Sequence, residues 1–227
     1  MMVLVNKTNT PSTREFDMKR RTLDLLFSIG GLGLAVLLLV VGVVLTTNAN
    51  FANDYVRDQL GAQHITFTPA DKLSDEEKKS DCLREYAGQK MTTGKQAECY
   101  ANEYIGLHLK NMAGGKTYAD LGEPQSALRE QVAQAEQSNA ANLADLQKQL
   151  AEVSAQRETV FKGETLRGLL LTSYGFSEFG RKAEQGALAL YLGAGLLLLL
   201  SIAGLVHAFR TPANATFAAP EKEKVTN

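Results

Sequence analysis

The chain has 227 residues, a formal net charge of -1 and a mean hydropathy of -0.15. The balanced charge excludes a general nucleic-acid-binding protein, because that affinity comes from Lys and Arg side chains that neutralise phosphates. Two long apolar runs contribute to this average, so the remainder must be strongly hydrophilic, which excludes further hidden membrane spans.

Residues 1–22 are polar and have no pattern that would fold alone, so we interpret them as a cytoplasmic tail. Lys19, Arg20 and Arg21 stand directly before the first apolar run. This order resembles a signal peptide, but the run is longer than the roughly 7–15 apolar residues of a signal, and no small-residue cleavage site follows it. We therefore expect an uncleaved anchor whose basic end stays in the cytoplasm.

Two transmembrane helices are predicted, over residues 23–46 and 186–209. The uncharged stretch 25–45 would rise roughly 32 Å at about 1.5 Å per residue, enough to cross a hydrocarbon core of about 30 Å. Neither span centre carries an ionisable residue, which disfavours a transport route. Small residues four apart let helices approach closely. They predict helix–helix contacts, within one chain or between chains, at Gly31, Ala35, Ala189 and Gly193.

The region between the spans, residues 47–185, is predicted to form one extracytoplasmic helical domain. The first span is expected to continue past the membrane with a narrow apolar stripe. A capping box at Ser74 and Glu77 predicts a helix to about Gly88. A further helix is expected over about residues 95–112, ended by Gly114 and Gly115. The stripe consists of Phe51, Tyr55, Val56 and Leu60.

Cys82 and Cys99 are the only cysteines, one on each arm of a predicted helix–turn–helix. Both fall in the segment that the topology places outside, where cysteines tend to pair. A disulfide is therefore the leading interpretation, and closing a loop of this size contributes about 3 kcal/mol in the chain-entropy model. The rival is a pair of buried free thiols in a cytoplasmic domain. Zinc is disfavoured because no second ligand pair lies nearby.

One long helix is predicted over about residues 124–162, with no glycine or further proline inside it. Its apolar residues recur mostly in alternating steps of three and four, the spacing of a coiled-coil seam. Two consecutive steps of four around Asn139 form a stutter, which locally unwinds a supercoil. We favour a second copy of this helix as the partner of the seam; the alternative is the aromatic face of the first-half helices. The seam consists of Leu128, Val132, Leu143, Leu146, Leu150 and Val153.

Two segments flank the second span. Residues 163–186 carry an apolar cluster that is too short to cross a membrane. We expect this cluster either to rest in the lipid headgroup layer or to pack inside an oligomer. Residues 210–227 lack an apolar period, and we predict a disordered cytoplasmic tail.

No motif for catalysis or cofactor binding is present. The three histidines, His64, His108 and His207, are scattered along the chain. Phosphate-loop, dinucleotide, serine-hydrolase and zinc-protease patterns are missing. We expect no enzyme activity, no cofactor and no metal, and we expect His108 to be a packed or surface residue that faces Tyr104.

Three segments resemble a set of uncharacterised two-span actinobacterial membrane proteins. They are TLDLLFSIGGLGLAVLLLVVGVVL, DCLREYAGQKMTTGKQAECYANEYIGLHL and GETLRGLLLTSYGF, and the resemblance runs from Thr22 to about Pro212. Members of this set are often labelled aromatic-ring-opening dioxygenase subunits. Such an enzyme needs a clustered His/Glu metal triad, and this sequence has none. The resemblance therefore implies an architecture with two spans, and the set carries no established activity that could be transferred residue by residue.

We expect an all-α, multi-pass protein of the bacterial plasma membrane, with both termini cytoplasmic and a partly coiled-coil helical domain outside. The favoured function is a non-catalytic structural or accessory subunit that self-associates or clamps a larger envelope complex. Its partners would be membrane lipids and either further copies or other subunits, with no nucleic acid. The alternatives are a receptor-like sensor of an extracellular ligand and an accessory subunit of a membrane enzyme.

Overall fold

The computed structural model describes residues 19–213 and 215, so most of the two predicted tails, 1–22 and 210–227, lies outside the described residues. All regular elements in the described part are helical, which confirms the predicted all-α class. No strand is present there, and an isolated antiparallel bridge pairs Thr66 with Lys90. The chain divides into two compact units. We call Met1–Val44 with Ala187–Asn227 the span unit, and Leu45–Gly186 the helical domain.

Two helices are long and apolar enough to cross a membrane, as the sequence predicts: α1 (Arg20–Ala62) and α6 (Leu143–Arg210). Only 11 % of the most apolar 18-residue window of each helix is buried inside the protein. A core helix of a soluble protein would be mostly buried. The exposed apolar faces of these windows therefore suit a lipid environment.

Small residues bring the two helices of the span unit together. A Cβ atom on Gly31 would collide with the Ser201 hydroxyl, and one on Gly204 would collide with the Ser28 hydroxyl. These two contacts are reciprocal, because each helix supplies one glycine and one serine. Gly42 lies against the ring of Tyr191. A Cβ built on Gly42 would lie 2.6 Å from the Cε1 atom of that ring.

The predicted helix-packing residues divide between this contact and the surface. Gly31 lies in the contact, Gly193 lies against Leu38 with 3.6 Å from a built Cβ to Cδ1, and Ala35 is buried. Ala189 is exposed. Gly31 and Gly193 thus lie at contacts between the two helices of one chain.

The segment after α1 is less helical than the sequence predicts. The capping box forms: the Ser74 amide donates to Glu77 Oε2 at 2.7 Å, and the Glu77 amide donates to Ser74 Oγ at 3.2 Å. It opens only a 3₁₀ turn, Glu77–Lys79, and no helix extends to Gly88. The reason is that Ser80 takes an extended backbone and caps a new short helix, α2 (Asp81–Glu85).

The helix expected over 95–112 is present as three consecutive helical segments. They are α3 (Gly94–Cys99), a π-helical turn (Tyr100–Ile105) and α4 (Gly106–Ala113). Thr93 and Gln96 form a capping box at the start. Gly114 ends α4 with a positive φ of 60°, a conformation that glycine adopts without a Cβ penalty.

The predicted pairing of Cys82 and Cys99 is confirmed. Their sulfur atoms are 1.99 Å apart, and the bond joins α2 to the end of α3. The cystine lies beside the main core cluster of the helical domain, whose buried members include Phe67, Leu83 and Met91. The closed loop therefore holds α2 and α3 against the same core.

The prediction of one long helix over 124–162 is wrong. The structure has α5 (Gly122–Ser138), then a turn, then the start of α6 at Leu143. The chain turns at Asn139, which takes a left-handed φ of 47° while the Ala140 amide donates to the Ala135 carbonyl at 2.9 Å. Asparagine is one of the few residues with a side chain that tolerate this conformation, so it replaces the glycine that usually marks such a stop.

The residues of the predicted seam are divided between the two arms of this hairpin. Gln125 Nε2 donates to Ser154 Oγ at 2.8 Å, and Gln147 Nε2 donates to Glu136 Oε1 at 3.3 Å. These bonds fix an antiparallel register, in which one half of the seam lies beside the other. Leu128 and Val132 come from α5, and Leu143, Leu146, Leu150 and Val153 come from α6.

Within the helical domain α6 contacts four other helices: the end of α1, α3, α4 and α5. Residues 163–186 belong to it, so the apolar cluster predicted there is helical. The α3–α4 run lies antiparallel to α6. At its start, a Cβ built on Gly94 would lie 2.6 Å from the Cβ of Ser177. At its end, the Met112 carbonyl accepts from Gln156 at 3.1 Å. The end of α1 approaches near Gly180, where a Cβ would lie 3.0 Å from that of Ala52.

Candidate docking surface and polar cleft

An apolar groove lies between the end of α1 and α6 in the helical domain. It has a volume of about 400 Å³, and no charged residue lines it. Val56, Leu60 and Leu170 are buried, whereas Leu169 is 62 % exposed. Two of the residues in the predicted stripe, Val56 and Leu60, thus form part of the core beneath a surface that stays open.

Three aromatic rings form a ridge beside this groove. Phe51 and Tyr55 stand one turn apart on α1 with ring centroids 5.9 Å apart. Phe176 on α6 meets both rings edge-on, at 6.4 Å from Phe51 and 5.7 Å from Tyr55. Phe51 remains 61 % exposed. We call the groove and the ridge together the groove face. Contiguous apolar surface of this kind is uncommon on a protein without a partner.

A second cavity of about 580 Å³, which we call the polar cleft, lies between the Glu76–Ser80 turn, α4, the Gly115–Thr117 loop and α6. Its charged lining has two kinds of residue. The cations are Lys79, Lys110, Lys116 and Arg167, and the carboxylates are Glu76, Glu103 and Glu164. It shares no lining residue with the groove.

Arg167 is held in place from several sides of this cleft. Its Nη1 donates to Glu164 Oε2 at 3.3 Å and its Nη2 donates to Asn102 Oδ1 at 3.2 Å. Its Nε is buried without a hydrogen-bond partner among the described residues, and a Cβ built on Gly106 would lie 3.8 Å from that atom. Arg167 was not predicted from the sequence, because no local pattern links it with Asn102, which precedes it by 65 residues.

The histidines remain apart from one another. His108 packs edge-on against the ring of Tyr104, with centroids 4.3 Å apart, and its Nε2 lies 3.5 Å from Glu77 Oε1. His207 Nδ1 lies 2.8 Å from Asp24 Oδ2 in the span unit. Among residues 19–213, no group of three or more His, Cys, Asp and Glu side chains is arranged to hold a metal ion.

A polar cluster joins α3 to α6 near the other end of the helical domain. Lys95 Nζ donates to Glu98 at 3.0 Å and to the Tyr174 hydroxyl at 3.2 Å, and these bonds raise the pKa of Lys95. On α6, the hydrogen bond from Arg181 lowers the pKa of Glu178. Lys95 is exposed and Glu178 is half-buried, so the cluster positions α3 and its ion pairs contribute little to stability.

The fold and its surfaces define a class: an all-helical chain with two candidate membrane helices and a disulfide-closed helical domain. In comparisons with known proteins, the chain matches no family model, no curated protein and no solved structure. Its function has to be argued from the groove face and the polar cleft.

Proposed function

We propose that this protein is a non-catalytic, membrane-anchored subunit that self-associates through its groove face. In this proposal α1 and α6 cross the bacterial plasma membrane over residues 23–46 and 186–209, both termini are cytoplasmic, and residues 47–185 lie outside. The basic residues that precede the first span support the orientation. The Cys82–Cys99 bond supports an oxidising compartment for the helical domain. We also propose membership in the two-span actinobacterial set that the sequence resembles.

The exposed groove face is the observation that carries this proposal. Its apolar side chains, which include Phe51, Tyr55 and Leu169, are exposed although the same helices bury their other faces. Burial of such side chains at an interface contributes roughly 1.5–3 kcal/mol for each one that becomes fully covered. Large aromatic residues are also the ones that most often dominate the energy of an interface. The groove face is therefore suited to bind another protein surface.

A second copy of the chain is the partner that fits this surface best. A ridge that lies beside a groove on one face can fill the groove of an identical face across a twofold axis. Anchoring in one membrane would give every copy the same orientation, so the axis would run along the membrane normal. It would also raise the effective concentration of copies. The groove carries no charge, so no like-charge repulsion opposes the contact.

The experiment is a native mass measurement after gentle solubilisation of the full chain. We expect a single multiple of 24.6 kDa for the wild type. Leu169→Glu places a charge in the proposed interface at an exposed position, and we expect it to yield the single chain. The matched control is Met112→Glu, which changes a similarly exposed residue outside the groove and should keep the wild-type mass.

Three results would refute self-association through the groove face. They are a wild type that is already a single chain, other subunits that co-purify in fixed proportion, and equal dissociation by both glutamate variants. Intact Cys82–Cys99 bonds and unchanged helical circular dichroism in both variants show that the comparison concerns folded protein. Co-purifying subunits would instead support the role of clamping a larger complex.

A further inference from the structure

We propose that the polar cleft is a binding site for a small molecule that carries at least two anionic oxygen groups, such as phosphates or carboxylates. The proposal goes beyond self-association, because the cleft and the groove share no lining residue. A volume of about 580 Å³ lies within the range of roughly 300–1,000 Å³ that is typical of small-molecule sites.

Three of the lining cations form no close ion pair, although Lys116 is near enough to Asp120 to help lower the pKa of that carboxyl. Lys79, Lys110 and Lys116 make no ion pair within 4.0 Å with any residue in the described part of the chain. They come from three separate segments: a 3₁₀ turn, α4 and the loop after α4. Elsewhere in the helical domain several lysines lie beside a carboxylate, as Lys78, Lys95 and Lys162 do. Cations from three segments around one cavity raise the local positive potential, which attracts anions.

The fourth cation, Arg167, is oriented by its neighbours before any ligand binds. Glu164 and Asn102 accept from its two Nη groups, and a Cβ built on Gly106 would lie 3.8 Å from its Nε. Burial of an unpaired Nε–H is unfavourable, and such a group in a folded protein calls for an explanation. A fixed guanidinium loses less conformational freedom when an anion arrives. The fixed guanidinium thus favours anion binding at the cleft, whereas its unpaired Nε–H lowers the stability of the free domain.

Two of the three lining carboxylates are already engaged. Glu164 pairs with Arg167, and Glu76 Oε2 accepts from Asn111 Nδ2 at 2.8 Å. Glu103 has no ion pair or side-chain hydrogen bond within the described residues. Its charge opposes an anionic ligand, so it limits affinity. Removal of this charge should therefore act in the opposite direction to removal of a lysine.

The test is isothermal titration of the full chain in detergent with two probes, inorganic pyrophosphate and citrate. Pyrophosphate reports on phosphate recognition and citrate on carboxylate recognition. We expect saturable binding of one stoichiometric equivalent, and affinity that falls as salt is added. Lys110→Gln should weaken binding about three- to tenfold, the range typical of a single charged contact that is partly exposed.

The controls separate a built site from diffuse attraction. Lys148→Gln makes the same change of charge at an exposed lysine outside the cleft and should leave the affinity unchanged. Glu103→Gln should strengthen binding. Equal weakening by both lysine variants, no effect of Glu103→Gln, or no saturable binding of either probe would each overturn the proposal. A chain that binds neither probe could still self-associate, so this result would leave the groove face untouched.

Discussion

Tyr100 lies in an aromatic column inside the helical domain. Its ring meets Phe67 edge-on at 5.3 Å and stacks on Tyr104 at 4.6 Å between centroids. Burial raises the pKa of its hydroxyl to about 12, with smaller contributions from Tyr104 and from the negative charge of Glu77. The ionised form is disfavoured because partial burial withdraws the phenolate from water and the negative charge of Glu77 lies near it.

A stability change at high pH follows from this residue. The folded pKa of about 12 is above the value of about 10 for an unfolded tyrosine. The unfolded chain therefore loses its proton first, and the contribution of Tyr100 to stability, fully present below about pH 10, is lost as pH rises towards 12. The absorbance difference between wild type and Tyr100→Phe isolates its ionisation, which we expect near pH 12. A midpoint near pH 10 would contradict the burial argument.

Capping positions were predictable at the level of single residues, whereas distant contacts were not. Ser74 with Glu77 and the stop at Gly114 follow from hydrogen bonds between near neighbours in the chain, so a local pattern contains them. Arg167 was not predictable, since its partner Asn102 lies on another helix. The end of α5 at Asn139 was not predictable either. Asparagine is unfavourable inside a helix but still occurs there, so its presence alone did not mark a stop.

At the scale of elements, the hairpin between α5 and α6 is the largest difference from the prediction. The seam itself was recognisable, because its steps of three and four set the apolar face of a helix in either arrangement. The partner of the seam was not predictable, because a periodic stripe packs equally well against a second chain or against its own continuation. Gln125 makes two hydrogen bonds across the hairpin. Its Nε2 donates to Ser154 at 2.8 Å, and its Oε1 accepts from Arg157 at 2.6 Å.

Substitution of Asn139 distinguishes the hairpin from a continuous helix by the sign of the effect. At a left-handed φ of 47°, valine is penalised by about 1–2 kcal/mol, whereas glycine is tolerated. In a continuous helix valine would be the better of the two. We expect Asn139→Val to lower the hydrogen-exchange protection of α5 and Asn139→Gly to retain it. If Asn139→Gly lowered the protection of α5 and Asn139→Val retained it, the result would support one continuous helix over 124–162 and contradict the hairpin.

At the scale of the whole molecule, the helical class and the two apolar helices were predictable because long uncharged runs have few alternatives. The continuity of α6 through residues 163–186 was not, since that segment mixes apolar and charged side chains around several glycines. Its contacts explain the composition: Gly163 lies against Leu109, with a built Cβ 3.0 Å from its Cγ, and Gly180 lies against Ala52. The glycines permit close packing of helices that are distant in sequence.

The proposed orientation predicts which engineered thiols can be labelled in intact cells. Both native cysteines are bonded, so a single new cysteine is the only free thiol among the described residues. We expect Ser138→Cys, at the exposed end of α5, to react with a membrane-impermeant maleimide added outside. Pro212→Cys should react only after the membrane is opened. Labelling in the opposite pattern would place the helical domain in the cytoplasm.

The position of the cystine in the chain sets an order of maturation. Cys82 and Cys99 are synthesised before any part of α6, so their bond can close while the ribosome is still adding the last helix. Leu170, which belongs to the same core cluster as Phe67 and Leu83, arrives only afterwards. A nascent chain halted before Leu170 would carry a covalently closed loop around an unfilled interior, and such an intermediate would expose apolar surface until translation finished.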